Sequence, residues 1–169
     1  MKKLNKGFTL IELLVVIAII GVLASVVLAS LNTARTKGAD VAVKANLSNA
    51  RAQAELFYDA NNGSYMGTIN TSTDVCNTAG LVSGVKGIYP SVLAAVQATG
   101  NTALVAENAV ETTTTGSCNP ASGTWVAQAP MKSQNLVSGS SGIDYYCVDS
   151  TGQSKLEDAV LAANSTSCL

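Results

Sequence analysis

From Phe8 to Leu31 the chain runs 24 residues with one charge, the carboxylate of Glu12. As a helix that stretch is about 36 Å long, enough to cross a hydrocarbon core of about 30 Å with some tilt. Its Ile, Val and Leu content suits lipid, and Gly21, Ala24, Ser25, Ala29 and Ser30 are small enough to let helices approach closely. An acid inside such a segment is costly and is read first as a functional site. Ahead of it lies a basic leader, Met1-Lys2-Lys3-Leu4-Asn5-Lys6-Gly7. Its three lysines place the N-terminus in the cytoplasm, a bias that Arg35 and Lys37 beyond the span weaken.

A secretory signal peptide would have a shorter apolar run and a small-residue cleavage site after it. A plain signal-anchor would explain the length and the lysines but not the Glu. The residues Lys6-Gly7-Phe8-Thr9-Leu10-Ile11-Glu12-Leu13 resemble the class III signal of type IV pilins and type II secretion pseudopilins. The resemblance covers roughly residues 1–60. It implies that a prepilin peptidase cuts between Gly7 and Phe8 and methylates the new amine of Phe8. It also implies that Glu12 pairs with the N-terminal amine of a neighbouring subunit. Many type IVa pilins have Pro where this chain has Ala29, so a helix break is less strongly encoded here, with Gly21 as a weak point.

The implied pairing is physically sound. A lone carboxylate among apolar helices is badly desolvated, and a paired one much less so. The pair serves register, because one axial stagger joins amine to acid and leaves neither unpaired. The rival is that Glu12, about 6 Å below Phe8 along the helix, reaches back to the aqueous face.

Losing residues 1–7 removes three lysines and leaves seven cationic side chains against eleven acids. That mildly acidic balance gives no footprint for broad nucleic-acid binding. The chain has no His, which removes the commonest general base and metal ligand. It also lacks a phosphate-binding Gly loop, a Gly-x-Ser-x-Gly turn and a Cys-x-x-Cys pair, so an enzyme is not expected.

Val43, Leu47, Ala50, Ala54 and Phe57 form one apolar stripe at helical spacing. Asp40 with Lys44, and Arg51 with Glu55, are i,i+4 pairs on other faces. Asn61-Asn62-Gly63 is a stop signal, so one helix from Phe8 to about Asp59 is expected. Tyr89 to Gln97 reads as a short helix ending at Gly100. Thr124 to Ala129 reads as a strand bounded by Pro130, and Lys132 to Gly142 as a long hairpin loop. Asp144 to Val148 is the clearest strand, returned through the turn 149–152 by Gln153 to Leu156. The Thr run 112–115 is left undecided between strand and linker. The expected fold is α+β and pilin-like, a long N-terminal helix packed on a small antiparallel C-terminal sheet. Its divisions are leader 1–7, membrane and assembly half 8–31, amphipathic half 32–60, and head 61–169. Within the head, 61–115 is the connecting region and 116–169 the sheet and tail.

Cys76, Cys118, Cys147 and Cys168 all follow the span, where disulfides persist, and allow three pairings. The preferred set is Cys76–Cys118 with Cys147–Cys168, the second resembling the disulfide that bounds the C-terminal loop of many type IV pilins. Metal binding by the thiols is disfavoured by their wide spacing. Asp144, Asp149, Glu157 and Asp158 lie where some major pseudopilins bind calcium. Here they show no regular ligand spacing and read as a solvated acidic loop, so no cofactor is assigned. The Asn-x-Ser/Thr triplets at Asn46, Asn70 and Asn164 carry little weight in so polar a chain.

The resemblance implies a structural subunit, of major type, in a type IV pilus-like surface filament serving adhesion, motility or DNA uptake. Its partners would be the prepilin peptidase, identical or related subunits, the membrane, and an inner-membrane assembly platform with its ATPase. It would sit as a single-pass membrane protein before assembly and outside that membrane afterwards. A major-type pseudopilin of a type II secretion system shares the same N-terminal residues. A membrane-anchored binding module that never polymerises is a third reading, against which Glu12 counts.

Overall fold

The computed structural model describes residues 7–67, 74–77, 81–82, 84–101, 105–107, 115–139 and 142–169. Most of the basic leader, the Asn70 triplet and Thr112 to Thr114 lie outside the described residues. The chain divides into two compact units, 1–35 and 36–169. Helix α1, Leu10–Ala60, contributes to both.

In the first unit the apolar side chains of α1 are exposed, from Leu10 and Ile11 through Val26, Val27 and Leu28. By length and composition this helix is able to cross a membrane. The helix passes through Gly21 without interruption.

In the second unit, α1 buries Val43, Leu47, Ala50, Ala54 and Phe57, the stripe that period 3.6 marks in the sequence. The helix ends where Asn62 and Gly63 take left-handed conformations, φ 55° and 78°. There the Gly63 N–H donates to the Tyr58 carbonyl at 3.0 Å and the Asn61 N–H to that of Phe57 at 2.9 Å, satisfying two of the last four carbonyls. After the helix come β1 (Leu81–Val82), β2 (Val85–Lys86) and helix α2 (Tyr89–Ala98). Pro90 falls in the first turn of α2, where its missing N–H costs nothing.

Five strands follow as one sheet in the order β3-β4-β5-β6-β7: Val105–Glu107, Gly116–Pro120, Trp125–Gln134, Ile143–Asp149 and Ser154–Glu157. β4 to β7 are antiparallel, as expected, and β3 adds a short parallel edge. One face of the sheet joins α1 and α2 in the main core, through Cys118, Trp125, Ala127, Ala129, Met131 and Val148.

β5 does not stop at Pro130, as its sequence suggested, but runs on to Gln134. β4 pairs with β5 only as far as Gln128, so the missing N–H of Pro130 breaks no bond on that side. The β5–β6 register then shifts between Pro130 and Gln134. Asp40 of α1 takes up the backbone there. Its Oδ1 accepts from the N–H groups of Lys132 at 2.7 Å and Ser133 at 3.1 Å, and the Ser133 hydroxyl donates to Oδ2. The expected i,i+4 pairs give way to such longer-range contacts. Asp40 is buried at 8% exposure. Arg51 donates to the carbonyls of Asp149 and Gln153, while Glu55 accepts from the Tyr65 hydroxyl at 2.8 Å.

Candidate functional site

Gly7 and Phe8 lead into α1 with Phe8 fully displayed, at 83% exposure. Thr9 is the residue before the first helical turn, and Glu12 is the third residue inside it. The Glu12 Oε2 atom accepts from the Thr9 N–H at 2.8 Å and from the Thr9 hydroxyl at 2.7 Å. In return the Glu12 N–H donates to Thr9 Oγ1 at 3.2 Å. This reciprocal pair is a capping box, which satisfies donors that no helical carbonyl reaches. Sequence reasoning assigned Glu12 a partner in another chain and passed over this one. The signal was present as Thr-x-x-Glu ahead of an apolar run. Both capping bonds fall on one carboxylate oxygen, so the carboxylate has capacity for a further donor.

The second concentration of chemistry lies at the C-terminal end of the chain. Disulfides join Cys76 to Cys118, with Cα atoms 5.5 Å apart, and Cys147 to Cys168, 5.9 Å apart. The acidic residues nearby are not a solvated loop. Asp144 and Asp149 are wholly buried and Glu157 is 6% exposed, with Asp158 alone of the four on the surface. Each buried carboxylate takes backbone N–H groups that its own stretch of sequence does not reveal. Asp144 Oδ2 accepts from Leu136. Asp149 Oδ1 accepts from Thr151 N–H, Thr151 hydroxyl and Gln153 N–H, and its Oδ2 from Cys168 N–H at 3.1 Å. Glu157 accepts from Leu169 N–H and from Gln128 Nε2, and its Oε1 lies 3.7 Å from Lys155 Nζ.

These surroundings move Asp149 and Glu157 in opposite directions. Burial pushes Asp149 up, but the hydrogen bonds from Thr151, Cys168 and Gln153 together outweigh it and hold the group below the usual Asp range. Glu157 is held above its ordinary value, chiefly by burial. Tyr65, buried and hydrogen-bonded to Glu55, is pushed up to about 12. Cys147, Glu157 and Cys168 bring potential metal-ligand atoms within 4.8 Å of one another. Their two sulfurs are bonded to each other and offer no thiolate, so this triad does not fit a metal. The carboxylates serve as anchors for backbone, a structural use of charge.

Residues 2–28 match the family described as the prokaryotic N-terminal methylation motif. The type IV wide pilus major component PilA4 of Thermus thermophilus is 50% identical over 60 residues, covering 36% of this chain and 45% of that protein. A fimbrial protein of Neisseria meningitidis serogroup B is 42% identical over 89 residues, covering 53% of this chain and 49% of that protein. The chain spans about half the length of these curated relatives. No solved structure gives a significant match to the chain.

Proposed function

We propose that this chain, which carries the prokaryotic N-terminal methylation motif and is similar to type IV pilins, is a structural subunit of a type IV pilus-like filament. In this reading the prepilin peptidase cuts between Gly7 and Phe8 and methylates Phe8. The subunit then waits in the membrane on its N-terminal helix and enters the filament through residues 8–59. It is of the major, repeating type, and its work is mechanical and adhesive. The single observation that carries the reading is a helix with apolar residues exposed around it and one acid near its start. Such a surface is stable only in lipid or against other helices of its kind.

Glu12 then has two tasks. Through Oε2 it closes the cap of its own helix with Thr9. Through Oε1 it accepts the Phe8 amine of the next subunit, which fixes the axial stagger. A major-type pseudopilin of a secretion system remains the second reading, since the same N-terminal features serve it.

The test is expression with a prepilin peptidase and its assembly machinery, comparing the native sequence with Glu12→Ala. Both are expected to insert and to lose residues 1–7, seen by mass, while only the native chain yields sheared filaments. Filaments from Glu12→Ala at native yield would sink the pairing, and an uncut native chain would sink the processing step.

A further inference from the structure

We infer that residues 158–169 are a strap that opens and closes over one face of the sheet as a unit, separately from the main core, with the Cys147–Cys168 disulfide as its lock. The inference rests on the head alone and stands whether or not the chain forms filaments.

The sheet separates two apolar clusters. The main core lies on the α1 side, and among the described residues the smaller cluster holds Val126 and Cys147 from the sheet with Leu161 and Cys168 from the tail. Side chains alternate along a strand, so Val126, Gln128 and Cys147 look away from α1 while Ala127, Ala129 and Val148 look toward it. The second cluster is closed by the tail.

The tail is seated at two points. At the first, Leu161 is fully buried, its N–H donates to Gln128 Oε1 at 2.9 Å, Gln128 Nε2 donates to the Ala159 carbonyl at 3.0 Å, and Asn119 Nδ2 of β4 donates to the Ala162 carbonyl at 3.4 Å. At the second, Cys168 N–H donates to Asp149 and Leu169 N–H to Glu157. Between them, 162–167 is mostly exposed and forms neither helix nor strand. Segments with few buried contacts and little regular structure open at lower free energy than the core they cover. The covalent bond changes that balance, because it ties Cys168 to a β6 residue 21 positions earlier and restricts how far an opened tail can travel.

The lock closes when the thiols of Cys147 and Cys168 give two electrons and two protons to a disulfide oxidant, which leaves as a dithiol. A dithiol reductant reverses it, ending as its own cyclic disulfide with the protons on the two cysteines. A head whose strap has not been oxidised therefore keeps its main core but shows the Val126 face.

The experiment is hydrogen exchange read by mass spectrometry on the full chain in detergent micelles. Oxidised native protein is compared with Cys147→Ser/Cys168→Ser, which retains Cys76–Cys118. Exchange across 158–169 is expected to speed by roughly tenfold or more, while peptides from 43–57 and 125–131 hold their rates. Unchanged exchange in the tail overturns the lock. A rise in the core peptides, or failure of this variant to fold, overturns the separate unit. A second variant, Leu161→Ala with the disulfide intact, is expected to speed exchange across 158–169 while the core peptides hold their rates. A silent Leu161→Ala, or one that loosens the core, overturns the seating.

Discussion

Replacing Asp40 tests how the amphipathic half of α1 is fastened to the sheet. Its carboxylate accepts two backbone N–H groups and one hydroxyl from Lys132 and Ser133, at the register shift where β6 does not take them. Hydrogen bonds to a charged acceptor contribute about 1.5–3 kcal/mol each, and a stranded buried N–H costs about 1–3 kcal/mol. Lys132 is itself exposed, so water relieves part of that loss. Asp40→Ala is therefore expected to cost about 2–4 kcal/mol, well below the sum of three bonds. Asp40→Asn keeps a carbonyl oxygen for the two N–H groups and is expected to cost about 1 kcal/mol. The assay is urea unfolding of the full chain in micelles, followed by the fluorescence of Trp125. For Asp40→Ala the midpoint is expected to fall by about 1–3 M with the slope unchanged. Amide exchange at Lys132 and Ser133 should rise in the Ala variant and hold in the Asn variant. Equal costs for the two variants, or an Ala cost below about 0.5 kcal/mol, would refute the reasoning.

A Cβ on Gly87 would collide with the carbonyl oxygen of Val75, which already accepts from Ile88, so Gly87→Ala is expected to cost about 2 kcal/mol or more. Gly123→Ala, where a Cβ meets nothing within 4 Å, is the control and should be nearly neutral in the same urea assay. Asp149 has a folded value below that of the unfolded chain, so its contribution is complete above the ordinary Asp pKa of about 3.9 and fades as pH falls through the lower folded value. The stability gap between the native chain and Asp149→Asn should accordingly shrink on acidification in urea titrations at neutral and low pH. A gap that widens would contradict the assignment.

The parts of the fold legible in the sequence were those governed by a local period. The stripe from Val43 to Phe57 appears as buried residues because helical spacing alone decides which side chains share a face. β6 and β7 were legible through their turn, and α2 through Tyr89-Pro90 and Gly100. The end of β5 was not, because Pro130 reads as a stop until one knows that β4 has already ended beside it. The acids were misread for the same kind of reason. Asp40 and Asp149 bond to N–H groups 92 and 19 residues away, among others, and nothing in the neighbouring residues announces those partners. At the N-terminus Glu12 was singled out by its isolation among apolar residues. Its nearest partner, Thr9, was overlooked although it lies three residues away.

The cap at Thr9 and Glu12 also bears on how a leader can be discarded. The cap at the start of α1, which takes the Thr9 and Glu12 N–H groups, is made by two side chains that both lie downstream of the proposed cut. Severing the chain between Gly7 and Phe8 takes away none of those bonds. A cut there would therefore leave the cap as it was, and would add a charged amine to an end already closed. Processing can then act as a licence for assembly without first having to refold the part that assembles.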